Sequence, residues 1–135
     1  MTAIRKENPP DPHARKTILL VEDDAQLRKL ACMVLEREGF EVLVASGPGE
    51  AFALAREGTR PIDLILTDVV LPHMSGRDLV DCVRAARPDI KVIFMSGFGN
   101  DVIARHGVFD PAVEFLQKPM TPTVLVAKVK AVLDA

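Results

Sequence analysis

Asp63-Leu64-Ile65-Leu66-Thr67-Asp68-Val69-Val70-Leu71-Pro72 lies at the middle of the chain. The run from Ile62 through Leu66 is apolar on both faces apart from Asp63. A strand with one wet face would alternate; a run without alternation fits a parallel strand covered by helices on each side. The run is followed by a carboxylate, Asp68, and then by a turn-forming stretch beginning at Pro72.

Four more runs share this texture: Ile18-Leu19-Leu20-Val21, Val42-Leu43-Val44-Ala45, Val92-Ile93-Phe94-Met95, and Val113 through Leu116. Helix-period segments separate them. Leu27, Leu30, Ala31, Val34 and Leu35 make one stripe expected to be buried, with Asp24 as its cap and Gly39 as the left-handed residue past its end. Ala51, Phe52, Leu54 and Ala55 form a shorter stripe. Leu79, Val80, Val83 and Ala86 form another, stopped before Pro88. Residues 100–106 give a short, poor helix ending at Gly107. The last helix is signalled by Thr121 as cap and Pro122 in its first turn, followed by Leu125, Val129, Val132 and Leu133. Every strand-to-strand connection contains a helix, so right-handed crossovers between parallel strands follow. The expected architecture is α/β: a single doubly wound (βα)5 domain, flavodoxin-like, with a five-stranded parallel sheet in the order 2-1-3-4-5. It spans residues 17–135, and residues 1–16, polar and Pro-containing, read as a flexible tail or linker.

Composition narrows the function. The chain has 135 residues, enough for one core, and a formal net charge of −2, so it carries no global field for nucleic acid. No apolar stretch approaches the ~18 residues that span a bilayer, and the first sixteen residues do not form a secretory signal. Cys32 and Cys82 lack metal-ligand spacing and read as packing residues beside helix stripes, in a reduced, cytoplasmic setting.

The polar residues are informative through where they fall. Glu22 and Asp23 follow the first strand, Asp68 the third, Ser96 the fourth and Lys118 the fifth. In an open parallel sheet these positions share one edge, where ligands bind. If the first and third strands are neighbours, three carboxylates converge. Two like charges ~4 Å apart repel by roughly 4 kcal/mol at an effective dielectric of 20. An oxygen-only set of this kind calls for a hard divalent cation, Mg2+ first. Lys118 brings a positive charge and Ser96 a hydroxyl. A carboxylate nucleophile, a divalent cation, an ammonium and a hydroxyl make a phosphoryl-accepting site.

These motifs resemble the response-regulator receiver domain of two-component signalling. Ile18 through Asp24 is similar to its first strand and acidic pair, and Asp63 through Pro72 with Met74-Ser75-Gly76 to its phosphoacceptor strand and loop. Phe94-Met95-Ser96-Gly97 and Phe115-Leu116-Gln117-Lys118-Pro119 are similar to its fourth and fifth strands. The resemblance implies that Asp68 accepts a phosphoryl group from a histidine kinase or histidine phosphotransfer protein. It implies that Glu22, Asp23, Asp68 and the backbone carbonyl of Val70 hold Mg2+. Lys118 would bind a phosphoryl oxygen, and Ser96 and Phe115 would be the switch residues. The Lys118–Pro119 peptide would be cis. The implied output is altered affinity for a downstream protein, with no direct nucleic-acid contact, no membrane insertion and no enzymatic role beyond promoting phosphorylation and dephosphorylation of Asp68 itself. Ala135 directly follows the last helix, so no effector domain is expected after it. The stretch around Ser96-Gly97-Phe98-Gly99 and from His106 to Pro111 is similar to the C-terminal receivers of hybrid sensor kinases.

Other functions fit less well. A phosphatase with an aspartyl nucleophile commonly has a second acid two residues on, where Val70 stands here. A flavodoxin-type cofactor site needs a phosphate cradle after the first strand, where Glu22-Asp23-Asp24 would repel phosphate. A pseudo-receiver acting as a scaffold would lack part of the site, and nothing is missing.

Overall fold

The computed structural model describes residues 16–57, 60–97 and 113–135. The main sheet contains β1 (Thr17–Val21), β2 (Glu41–Ala45), β3 (Leu64–Asp68), β6 (Lys91–Ser96) and β7 (Glu114–Gln117). All four pairings are parallel, and the order is β2-β1-β3-β6-β7. This is the expected 2-1-3-4-5 arrangement. A two-stranded hairpin, β4 (Val70–Leu71) with β5 (Met74–Ser75), follows β3. The helices are α1 (Ala25–Arg37), α2 (Pro48–Arg56), α3 (Gly76–Ala86) and α4 (Pro122–Asp134). The expected helix over 100–106 lies outside the described residues.

Two apolar layers sandwich the sheet. Ile18, Leu20, Leu64, Leu66, Ile93 and Leu116 face α1 and α4, meeting Leu35, Leu125 and Val129. Leu19, Val21, Ile65, Val92 and Phe94 face α2 and α3, meeting Ala51, Ala55, Leu79, Val80 and Val83. The period of two along each strand thus feeds two separate cores, which is why these runs carry no polar face.

The helix ends follow local chemistry. Asp24 accepts from the amides of Gln26 and Leu27, and Thr121 from that of Val124. Gly39 takes φ 97° after α1, a value that favours glycine. Ser75, not foreseen as a cap, accepts from the amide of Asp78.

Several expectations need correction. Leu27 and Leu30 are 44% and 54% exposed; only Ala31, Val34 and Leu35 of that stripe are buried. The two leucines line an open groove toward α4 instead of packing under it. Ala86 is exposed at the end of α3, and Cys82 is exposed rather than packed. Asp68 and Ser96 are the last residues of their strands, not the first residues after them.

Candidate functional site

Parallel alignment brings the carboxyl ends of β1, β3, β6 and β7 together. Val21 is in register with Thr67, Asp68 with Met95, and Ser96 with Gln117. Glu22, Asp68 and Lys118 therefore meet, although 96 residues separate the first from the last. Carboxylate oxygens of Glu22, Asp23 and Asp68 lie within 4.8 Å of one another. Glu22 and Asp68 are buried and Asp23 is exposed. Lys118 Nζ lies between the buried pair, 2.7 Å from Glu22 Oε1 and 2.6 Å from Asp68 Oδ1. Ser96, also buried, holds the Lys118 main chain: its carbonyl accepts from the Lys118 amide at 2.8 Å. The Lys118–Pro119 peptide is cis.

Asp23, Asp68, Val70, Ser96, Gly97 and Lys118 line one cleft of about 280 Å3. It thus brings together the sequence-predicted site residues apart from Glu22, which Lys118 Nζ contacts, and Phe115. Phe115 sits farther down the sheet, half-buried and stacked on Phe94 with ring centroids 5.8 Å apart. Ser96 follows Phe94 on the same strand face, two residues on, and Phe115 is in register with Phe94 on the neighbouring strand.

The electrostatics are those of too many anions for one cation. Burial, with the hydrogen bond to Glu22 next, pushes the Asp68 carboxyl up to about 8 despite Lys118. Burial also works against ionised Glu22, but hydrogen bonds from Asp68, Lys118 and the Asp24 amide outweigh it and hold Glu22 below the usual range. Burial opposes the Lys118 ammonium too; Asp68 and Glu22 more than compensate, and its pKa is raised. Without metal, Glu22 thus carries the negative charge, Asp68 holds a proton, and Lys118 balances the pair. Asp68 Oδ2 is buried and no donor reaches it. An orphaned buried oxygen among oxygen-only donors is what a hard divalent cation satisfies, so this residue set fits Mg2+.

Two features of the site escaped the sequence. Gly76 starts α3 directly behind Asp68, and a Cβ built on it would overlap the Asp68 carbonyl oxygen. Its amide donates to the Val69 carbonyl at 2.7 Å. Its position after Met74-Ser75 was visible; the close approach was not. The second feature is the exposure of Leu27 and Leu30. With Glu22, Lys118, Pro119, Met120 and Leu125 they line an apolar groove of about 470 Å3 between α1 and α4.

Comparison with known proteins agrees with this geometry. Residues 18–130 match the family model described as the response regulator receiver domain. The chain is 35% identical over 128 residues to the sensor kinase CckA of Brucella abortus, covering 95% of this chain and 14% of the relative. It is 36% identical over 120 residues to the phosphate regulon transcriptional regulatory protein PhoB of Pseudomonas aeruginosa, covering 87% of this chain and 52% of the relative. Among solved structures, the receiver domain of the hybrid histidine kinase CckA superposes with a TM-score of 0.74 at 33% identity, covering 87% of this chain and 98% of that one. The chain belongs to the response regulator receiver domain family of two-component signalling. It spans about half or less of the length of these curated relatives. No described helix is long and apolar enough to cross a membrane.

Proposed function

We propose that this chain is a phosphorylation-driven switch in which Asp68 is the phosphoacceptor. The observation that carries the reading is the state of Asp68. It is a buried carboxylate with one oxygen lacking a donor, touched by Lys118 and grouped with two further acids. A carboxylate left so costly to ionise is explained by a ligand that repairs it.

The donor is a phosphohistidine on a histidine kinase or a histidine phosphotransfer protein. Asp68 first gives up its proton to solvent; one of its oxygens then attacks phosphorus, an O–P bond forms, the N–P bond breaks, and the imidazole nitrogen keeps the electron pair. Glu22, Asp23, Asp68 and the Val70 carbonyl hold Mg2+, which supplies positive charge to the phosphoryl oxygens. Lys118 is already within ion-pair distance of Asp68 and shifts to a phosphoryl oxygen. Ser96 lines the same cleft and donates its hydroxyl to another. Its movement lets Phe115 turn inward, and the altered surface changes affinity for a downstream protein. The groove edged by Leu27, Leu30 and Lys118 gives the protein phosphodonor an apolar surface beside Asp68. Catalysis here is positioning and charge neutralisation, so the receiver acts on its own Asp68 rather than on a turned-over substrate.

Incubation with Mg2+ and acetyl phosphate, followed by intact-mass measurement, tests the reading. Wild type should gain one phosphoryl group and Asp68→Asn none. No gain on wild type, or an equal gain on the variant, defeats it.

A further inference from the structure

We infer that Arg28 is a positioning residue that holds the loop Glu22-Asp23-Asp24 in the shape that receives a divalent cation, an inference that rests on the phosphoacceptor reading above. The loop has to leave β1 and turn into α1 while aiming two carboxylates at Asp68. The Glu22 amide stays tied to β2, donating to the Ala45 carbonyl at 3.1 Å. Arg28 takes the other side of that residue: its Nη1 donates to the Glu22 carbonyl at 2.8 Å. The Arg28 amide donates to the Asp24 carbonyl at 2.9 Å. The guanidinium thus pins the carbonyl that precedes Asp23, the exposed member of the acidic set, while the Asp24 carbonyl is held by the first main-chain bond of α1, which any non-proline residue at 28 would supply. The Glu22 side chain adds an internal brace, accepting from the Asp24 amide at 3.2 Å.

Nothing about α1 itself requires arginine here, since an early helical position accepts many helix formers. Instead the side chain curls back over the loop and is half-buried, where its neighbours Leu27 and Lys29 are exposed. Its chemistry also separates two roles by sign. A guanidinium beside a cation site opposes the cation by charge, so a merely electrostatic Arg28 would weaken Mg2+ binding and its removal would strengthen it. A positioning Arg28 does the reverse. Part of its charge is directed elsewhere, toward Glu50. That carboxyl is held low mainly by hydrogen bonds from the Ser46 amide and hydroxyl, with Arg28 a lesser cause.

The test is Mg2+ titration of the full chain, followed by the amide shifts of Glu22, Asp23, Asp24 and Asp68, with the metal-free melting temperature measured alongside. Arg28→Gln should bind Mg2+ about tenfold more weakly, the low end for losing a partner that orients a ligand. Arg28→Lys keeps the charge but cannot reproduce the guanidinium reach, and should also bind more weakly than wild type. It carries the test if the glutamine variant does not fold. Unchanged or tighter Mg2+ binding in the folded variant overturns the inference, whatever its melting temperature does. A wild type that fails to respond to Mg2+ overturns the phosphoacceptor reading itself, and this inference with it.

Discussion

Asp63 precedes β3 and Asp68 ends it, five positions apart, and the two live in opposite circumstances. Asp63 stands at the amino end of the sheet and is built in. Its Oδ2 accepts from the Thr17 amide at 2.8 Å, its own amide donates to the Thr17 carbonyl at 2.8 Å, and its carbonyl accepts from the Lys91 amide at 3.1 Å. Its carboxylate replaces a missing ladder partner at the start of β1. Asp68 stands at the carboxyl end with a buried oxygen that nothing donates to. One acid closes the sheet; the other leaves it chemically open. An acidic residue beside a strand is therefore informative only once its donors have been counted.

The largest way to break this contrast is to remove the cation that serves the open end. Lys118→Ala leaves two buried carboxylates without their ammonium. We expect a loss of about 3 kcal/mol, at the low end for breaking a buried pair because Asp68 already holds its proton and only Glu22 is left as an unpaired charge. Urea unfolding of metal-free protein at neutral pH checks this, and a loss under half that size would mean that the ion pairs contribute little.

The next effect is smaller and concerns pH. Asp68 holds its proton up to about 8 in the folded protein, while an unfolded carboxyl loses it near 4. Between those values the folded state binds more protons, so stability without metal should fall as pH rises from 5 to 8 and level off above. The fall should be of order 2 kcal/mol, less than a full conversion because Glu22 and Lys118 share the titration. Glu22, shifted the other way, loses its contribution only as pH drops below the usual carboxylate range, outside this window. Denaturation midpoints in EDTA against pH would decide; a rising curve would reverse our assignment of the proton. Saturating Mg2+ should flatten it.

The smallest effect sharpens the contrast from the other end. Asp63→Ala should cost about 1–2 kcal/mol through the Thr17 amide left without its acceptor. It should leave phosphoryl uptake from acetyl phosphate unchanged. Impaired uptake would mean that the two ends of β3 are not independent.

Much of this was legible before any coordinates. Runs without alternation marked strands covered on both faces, and the right-handed crossover rule then put Glu22, Asp68, Ser96 and Lys118 on one edge. Strand limits slipped by a residue or two. Ile62 is apolar and buried yet precedes β3, and hydrophobicity alone cannot separate a strand from a residue packing just before it. Leu27 and Leu30 were misjudged because helical periodicity reports which face is apolar, not whether anything covers it. The β4–β5 hairpin was invisible because two-residue strands leave no periodic trace. Arg28 escaped for a related reason: a basic residue on an early helical turn looks like solvated surface until its guanidinium is seen on the Glu22 carbonyl.

Gly76 has a mechanical consequence. With no side chain between the first turn of α3 and the Asp68 carbonyl, and with its amide fastened to Val69, the helix rests directly on the backbone of the strand end. There is no compressible layer there to absorb a displacement. A shift of that carbonyl by a few tenths of an ångström pushes on α3 as a rod is pushed at its tip, and the far end of the rod must answer.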